Sequence, residues 1–126
     1  MQWWLISVLV GSGAAVGAMV RYLLGNAFNG LHANIPIGTL TANLLGGLLM
    51  GVVVAYGTAL SLEARLLLAT GFLGGLTTFS TFSAEGFLLL QQGRWMQAAA
   101  LVGLHVIGSL LMTALGFALV VWAKSG

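Results

Sequence analysis

The chain has no cysteine and a single proline, Pro36. The first absence excludes disulfides, thiol catalysis and Cys-based metal sites. Charge is almost as scarce. Arg21, Arg65, Arg94, Lys124, Glu63 and Glu85 are the only charged side chains, 5% of 126 residues. A soluble globular domain carries about 25%, so this chain cannot solvate an ordinary protein surface. The sequence pI of about 9.7 rests on a net charge of only +2. No basic cluster stands behind it, which excludes a nucleic-acid footprint. His32 and His105 with two glutamates form no metal-ligand spacing, and no nucleophile elbow is present. The chain is therefore read as a non-enzyme.

What remains is apolar and rich in glycine. Sixty percent of the residues are hydrophobic and 19 are glycine, with a mean hydropathy of +1.07. That is the profile of closely packed membrane helices. A spanning helix needs about 20 apolar residues, and four segments qualify. They cover roughly residues 3–24, 37–56, 64–90 and 97–122. The N-terminus begins Met1-Gln2-Trp3-Trp4 without a positive region, so the first segment is read as a retained helix rather than a signal peptide. The intervening stretches are short and hold turn residues, such as Asn26 to Asn34 and Gln91-Gln92-Gly93-Arg94. The expectation is an all-α membrane protein with one four-helix transmembrane domain over residues 1–126.

The third segment is unusual. Gly74-Gly75-Leu76-Thr77-Thr78 is poor sequence for a continuous helix, and a break is expected there. Non-helical backbone survives at membrane depth only if it is buried in protein or lines a wet cavity. Broken helices of this kind build ion sites from exposed carbonyls and amides. A merely kinked helix packed through its glycines is the alternative.

Positive charge gives no orientation. Arg65 and Lys124 fall on the side of both termini, and Arg21 and Arg94 on the other. Two against two is no bias under the positive-inside rule, so insertion both ways is expected. An antiparallel homodimer is then possible, and a pore between subunits is easier to build than one inside four helices. Gly13-xxx-Gly17 and Gly47-xxx-Gly51 predict tight helix contacts, within a subunit or between two.

Polar residues at membrane depth face the bundle interior or a wet path. Thr39 and Asn43 are four apart on the second helix. His105, Ser109 and Thr113 form a stripe on the fourth, and Ser80, Thr81 and Ser83 follow the break. Hydroxyls and an amide are hydrogen-bond donors, and carboxylates are nearly absent. That set favours an anion. Phe79 and Phe82 share a face after the break, and aromatic rings have positive edges. Arg21 is placed at the end of the first helix, where it can attract anions into a vestibule. Composition and spacing leave two rivals open: a small dual-topology multidrug exporter, and an assembly subunit with no transport. The exporter needs a central carboxylate, and only Glu85 is available.

The run Gly74-Gly75-Leu76-Thr77-Thr78-Phe79-Ser80-Thr81-Phe82-Ser83 resembles the Fluc family of fluoride channels, also called CrcB proteins. The likeness extends to Gly17-Ala18-Met19-Val20-Arg21-Tyr22, to the stretch from Pro36 to Gly46 around Asn43, and to Ser83-Ala84-Glu85. The resemblance implies a fluoride-selective channel of the bacterial inner membrane, giving passive efflux and protection from fluoride. It implies a dual-topology homodimer with two pores and a central Na+ ion held by the backbone carbonyls of Gly74 and Thr77. Fluoride and lipid are the implied partners, with no protein partner beyond the second copy. By motif position the pore residues would be Asn43, Phe79, Phe82, Thr39, Ser80, Thr81, His105, Ser109, Thr113 and Glu85, with Arg21 at the vestibule. Some members carry Tyr where this chain has His105. Glu85 would repel fluoride if ionised, so it is expected to be hydrogen-bonded or protonated, with Thr39 as its partner.

Overall fold

The computed structural model describes all of residues 1–126. Four apolar stretches cross the thickness of a bilayer: Trp3–Leu31, Ile37–Ala59, Leu62–Gln91 and Trp95–Ser125. Helix α1 is Trp3–Phe28 and continues as a 3-10 turn over Asn29–Leu31. Helix α2 is Ile37–Tyr56, with Pro36 just before its first turn. Proline fixes φ there and lacks only an N–H that the first turn would leave unpaired. The third span contains α3 (residues 62–76) and α4 (Phe79–Gln91), separated by two extended residues. Helix α5 is Trp95–Ser125. Trp3, Trp4, Trp95 and Trp122 stand exposed near the span ends, where amphipathic rings suit the membrane–water boundary.

Two features depart from the sequence reading. Helix α1 runs four residues past Leu24, because Asn26, Phe28 and Gly25 are compatible with a last helical turn. Arg21 therefore lies seven residues before the helix end, not at it. Helix α3 contains a π-helical stretch over Leu66–Leu73, which apolar composition does not reveal. Such stretches cluster at functional sites.

Helix α1 packs along α3, and α2 packs along α5. Both seams are made by backbone approaching backbone. A Cβ built on Gly17 would lie 2.1 Å from the Phe72 carbonyl oxygen, and one on Gly51 would lie 2.0 Å from the Thr113 carbonyl oxygen. No side chain fits at either place. The two small-residue patterns found in the sequence thus join helices of one subunit. Only 19 residues are buried, so most of the helical surface is left for lipid or a second copy. A methyl added at Gly11, by contrast, would meet nothing within 4 Å.

Gly17→Ala should therefore destabilise the folded protein by about 1–3 kcal/mol, the cost of forcing an atom into a filled seam. Gly11→Ala should be neutral or gain about 1 kcal/mol in helix propensity. Reversible unfolding in detergent checks the pair.

Candidate functional site

The break in the third span is two residues long. Gly74, Gly75 and Leu76 are helical, and only Thr77 (φ −87°, ψ 154°) and Thr78 (φ −147°, ψ 125°) are extended. The expected break over Gly74–Thr78 is thus narrower than its sequence suggested. The Gly pair serves other ends. A Cβ on Gly75 would lie 2.3 Å from the Ala14 carbonyl oxygen, while Gly74 is exposed and open. Gly75 lets α1 and α3 touch; it does not unwind the helix.

One side chain holds the unwound pair. The Thr78 amide donates to Asn43 Oδ1 at 2.8 Å. Asn43 Nδ2 donates to the Thr78 carbonyl at 3.0 Å. The amide of Asn43 thus replaces both backbone partners that Thr78 has lost. The Thr78 hydroxyl in turn caps α4 by accepting from the Thr81 amide at 3.2 Å. These bonds leave two carbonyls short. In a continuous helix Gly74 would accept from the Thr78 amide and Thr77 from the Thr81 amide; both donors are committed elsewhere. On the other side of the gap, α4 begins with free amides and the positive end of a helix dipole. The break sets a negative helix end beside a positive one, within the membrane span. Arg21 Nε donates to the Gly75 carbonyl at 3.0 Å, so Arg21 is tied to the last turn of α3.

Two cavities meet at Thr78. An open groove of about 430 Å³ is lined by Asn43, Gly74, Thr77, Phe79, Phe82, His105, Ser109 and Thr113, among others. A second, of about 340 Å³, is lined by Arg21, Tyr22, Gly25, Asn26, Asn29, Thr39, Thr78 and Thr81. The structure therefore brings the α5 stripe, the Phe pair and Asn43 together. It places Thr39 and Thr81 with Arg21 on the other side of Thr78. Ser80 and Glu85 line neither cavity. The Ser80 hydroxyl lies 3.4 Å from the Thr78 hydroxyl. Glu85 Oε1 is buried with no hydrogen-bond partner. Among the stripe hydroxyls, Thr113 is already spent. Its single O–H is shared between the carbonyls of Gly47, at 3.0 Å, and Ser109, at 2.9 Å. Ser109 makes no such bond.

The aromatic pair has a defined geometry. Phe79 and Phe82 meet edge to face, 5.3 Å between centroids and 81° between planes. Phe79 is 77% exposed on the groove, and Phe82 is buried. His105 stacks on Phe82 at 4.7 Å and 25°, and Asn43 Nδ2 is 2.9 Å from its Nδ1. Sequence reasoning did not single out Thr78 and Asn29 as site residues. A threonine directly before Phe79-Ser80-Thr81 is visible as a cap signal. Asn29 lines the second cavity and accepts the Thr39 amide at 3.0 Å, a pairing across the loop that spacing does not disclose.

A polar, donor-rich groove beside a helix broken at membrane depth defines a class: small multi-pass membrane proteins that move ions. Comparison with known proteins narrows it. Residues 8–117 match the family described as CrcB-like protein, Camphor Resistance (CrcB). The fluoride-specific ion channel FluC of Tolumonas auensis is 58% identical over 118 residues, 90% of this chain and 93% of that one. The FluC proteins of Aromatoleum aromaticum (56% identical, 86% of each chain) and Psychrobacter arcticus (54% identical, 93% of this chain and 94% of that one) are similarly close. The chain belongs to the CrcB family.

Removing the Asn43 amide should cost more than removing the cap. Asn43→Ala leaves both backbone groups of Thr78 unpaired, for about 2–4 kcal/mol in folded stability. Thr78→Ala forfeits only the cap, about 1 kcal/mol. Reversible unfolding of the two variants gives the comparison.

Proposed function

We propose that this protein is a fluoride-selective channel of the bacterial inner membrane, carrying fluoride passively down its electrochemical gradient and protecting the cell from its accumulation. The observation that carries this reading is the groove itself. It sets hydroxyls, an amide, an imidazole and ring edges at membrane depth with no carboxylate in its lining. Donors without carboxylates suit an anion, and the start of α4 adds the positive end of a helix dipole. Fluoride is small and strongly hydrated. A pore must replace its lost water with many close donors, and a larger anion would not fit the same spacing. The relatives named as fluoride-specific channels support the choice of ion. An inside-negative potential drives an anion outward, so no energy-coupling site is required.

The working unit in this reading is an antiparallel homodimer, with two pores and both orientations in the membrane. Solvation favours it. The groove is open, and Phe79 and Gly74 are exposed along it. Lipid cannot satisfy the Gly74 and Thr77 carbonyls or the Ser109 hydroxyl at that depth, whereas a second copy can close over them. The balanced positive charge supports insertion both ways.

The carbonyls of Gly74 and Thr77 are the groups that would hold a sodium ion. The residues fit that role, because the break has removed the donor of each carbonyl and left hard oxygen acceptors suited to a hard cation. Bound there, the cation supplies charge that offsets the carbonyl dipoles of two facing helix ends. In the same reading Arg21, Thr39 and Thr81 form the entrance and Ser109 meets the ion in the groove, while Ser80 acts through the Thr78 hydroxyl beside it. Phe79 and Phe82 meet it with their ring edges. Thr113 contributes an oxygen whose proton is directed at carbonyls. Glu85 stands outside both cavities, and its carboxyl leaves the track open when it is protonated.

Purified protein in liposomes should release fluoride quickly and chloride not at all. Phe79→Ile, which keeps bulk but removes the ring edge, should slow fluoride efflux roughly tenfold or more, the scale of an aromatic contact. Proton-coupled uptake of a cationic dye in place of fluoride efflux would favour the exporter instead. No flux of any ion from folded protein would favour an assembly role.

A further inference from the structure

Helix α2 begins without a cap of its own. Pro36 precedes it and offers no side-chain acceptor to its first amides. The missing acceptor comes from across the loop. Asn29 Oδ1 accepts from the Thr39 amide at 3.0 Å, and Thr39 is the third residue of α2, where a cap is normally received. A backbone amide only donates, so the atom facing it is the Asn29 oxygen, and the NH2 group points the other way. That group is unused, because the side chain's one hydrogen bond is the one to Thr39. It is also accessible. Asn29 is half-buried, and the only unpartnered side-chain atoms shut off from water in such residues are Glu85 Oε1 and His105 Nε2. The helix face shows where the NH2 group lies. Arg21, Gly25 and Asn29 are spaced four apart along α1 and its cap, and all three line the cavity of about 340 Å³ together with Thr39. A Cβ built on Gly25 would meet only the Asn29 side chain, 3.1 Å from Nδ2. The bare backbone of Gly25 leaves the room in which the amide lies.

We propose that Asn29 is the outermost anion donor of the entrance: its NH2 group takes an incoming fluoride ion ahead of Arg21, while its oxygen holds Thr39 in place behind it. This role rests on the channel reading above. Eight residues separate Asn29 from Arg21, about 12 Å along a helix axis at 1.5 Å per residue, and Asn29 lies at the end that reaches the loop. The two groups suit different steps. Arg21 attracts an anion through space, with its Nε tied to the Gly75 carbonyl. A neutral amide exerts no such pull. It acts in contact, by replacing one water of a hydrated ion. Because one side chain both donates to the ion and caps α2, capture and the placement of Thr39 are set together.

The test measures the initial rate of fluoride efflux from liposomes holding the full protein, as a function of fluoride concentration. Asn29→Asp keeps an acceptor for the Thr39 amide and loses the NH2 group. It should unfold at the wild-type denaturant concentration, yet raise the half-saturating fluoride concentration roughly three- to tenfold, the scale of one hydrogen bond to an ion. Asp also adds a charge. Asn26→Asp, in the same cavity, is therefore the control, and both are repeated at a high concentration of an impermeant salt, which screens charge and spares contacts. Salt should remove the Asn26→Asp effect and leave the Asn29→Asp effect. Gly25→Ala pushes the same amide aside with no change of charge and no loss of a cap, and should raise the half-saturating concentration too. It decides the matter if Asn29→Asp does not fold. Wild-type saturation in Asn29→Asp at high salt, or in Gly25→Ala, would overturn the donor role and leave the channel standing. Equal effects of Asn29→Asp and Asn26→Asp at both salt concentrations would overturn it as well, since charge alone would then account for them. Folded wild-type protein with no fluoride efflux would sink the channel reading, and the donor role with it.

Discussion

Two extended residues inside a membrane must have partners for their amides and carbonyls, and the third span meets that demand at Thr78 with a single side chain. The Asn43 amide takes both the donor and the acceptor of that residue. Everything distinctive about the site follows from this pairing. Because the Thr78 amide is bound sideways, the Gly74 carbonyl is left without a donor. Because the Thr78 hydroxyl caps α4, the Thr77 carbonyl is left without one as well. A cluster of acceptors and a fresh helix start then lie close together, where lipid would otherwise demand continuous helix. One feature is suited to a cation and the other to an anion, and neither requires a charged side chain.

The four-helix scaffold is what makes so small a break tolerable. Backbone runs against backbone at Gly17 and Gly51, so α1 grips α3 before the break and α2 grips α5 beside it. Helix α2 carries Asn43 and helix α5 carries His105, and their tight seam fixes the distance between the two side chains. Arg21 adds a tie from α1 to the carbonyl of Gly75. The groove is thus stiff on three sides and open on the fourth, the side on which a second copy is proposed to sit.

Much of this is legible in the residues. Composition alone gives the four spans, because six charges cannot solvate 126 residues. Hydroxyls after a glycine pair point to the break, and helical spacing puts His105, Ser109 and Thr113 on the groove. Spacing cannot say which polar atoms remain free. Thr113 looks like a donor in the sequence and is bonded to two carbonyls in the fold. Gly74 and Gly75 look like the breakers, yet they are helical, because glycine's permissiveness is used for close approach at Gly75. The π-helical turn and the true depth of Arg21 depend on packing against neighbouring helices, which no local pattern encodes. The motif that resembles fluoride channels supplies the ion; the chemistry of the residues reaches only an anion.

Asn43 thus holds the break together, and in the proposed channel it is the hinge pin rather than one polar lining residue among several. Fluoride efflux per folded protein of Asn43→Ala, reconstituted beside the wild type, tests this most directly. Flux is predicted to collapse by about a hundredfold or more, since several bonds of about 1 kcal/mol each are lost together. Wild-type flux from folded Asn43→Ala would contradict it, and would mean that the break is held, and fluoride conducted, without this amide.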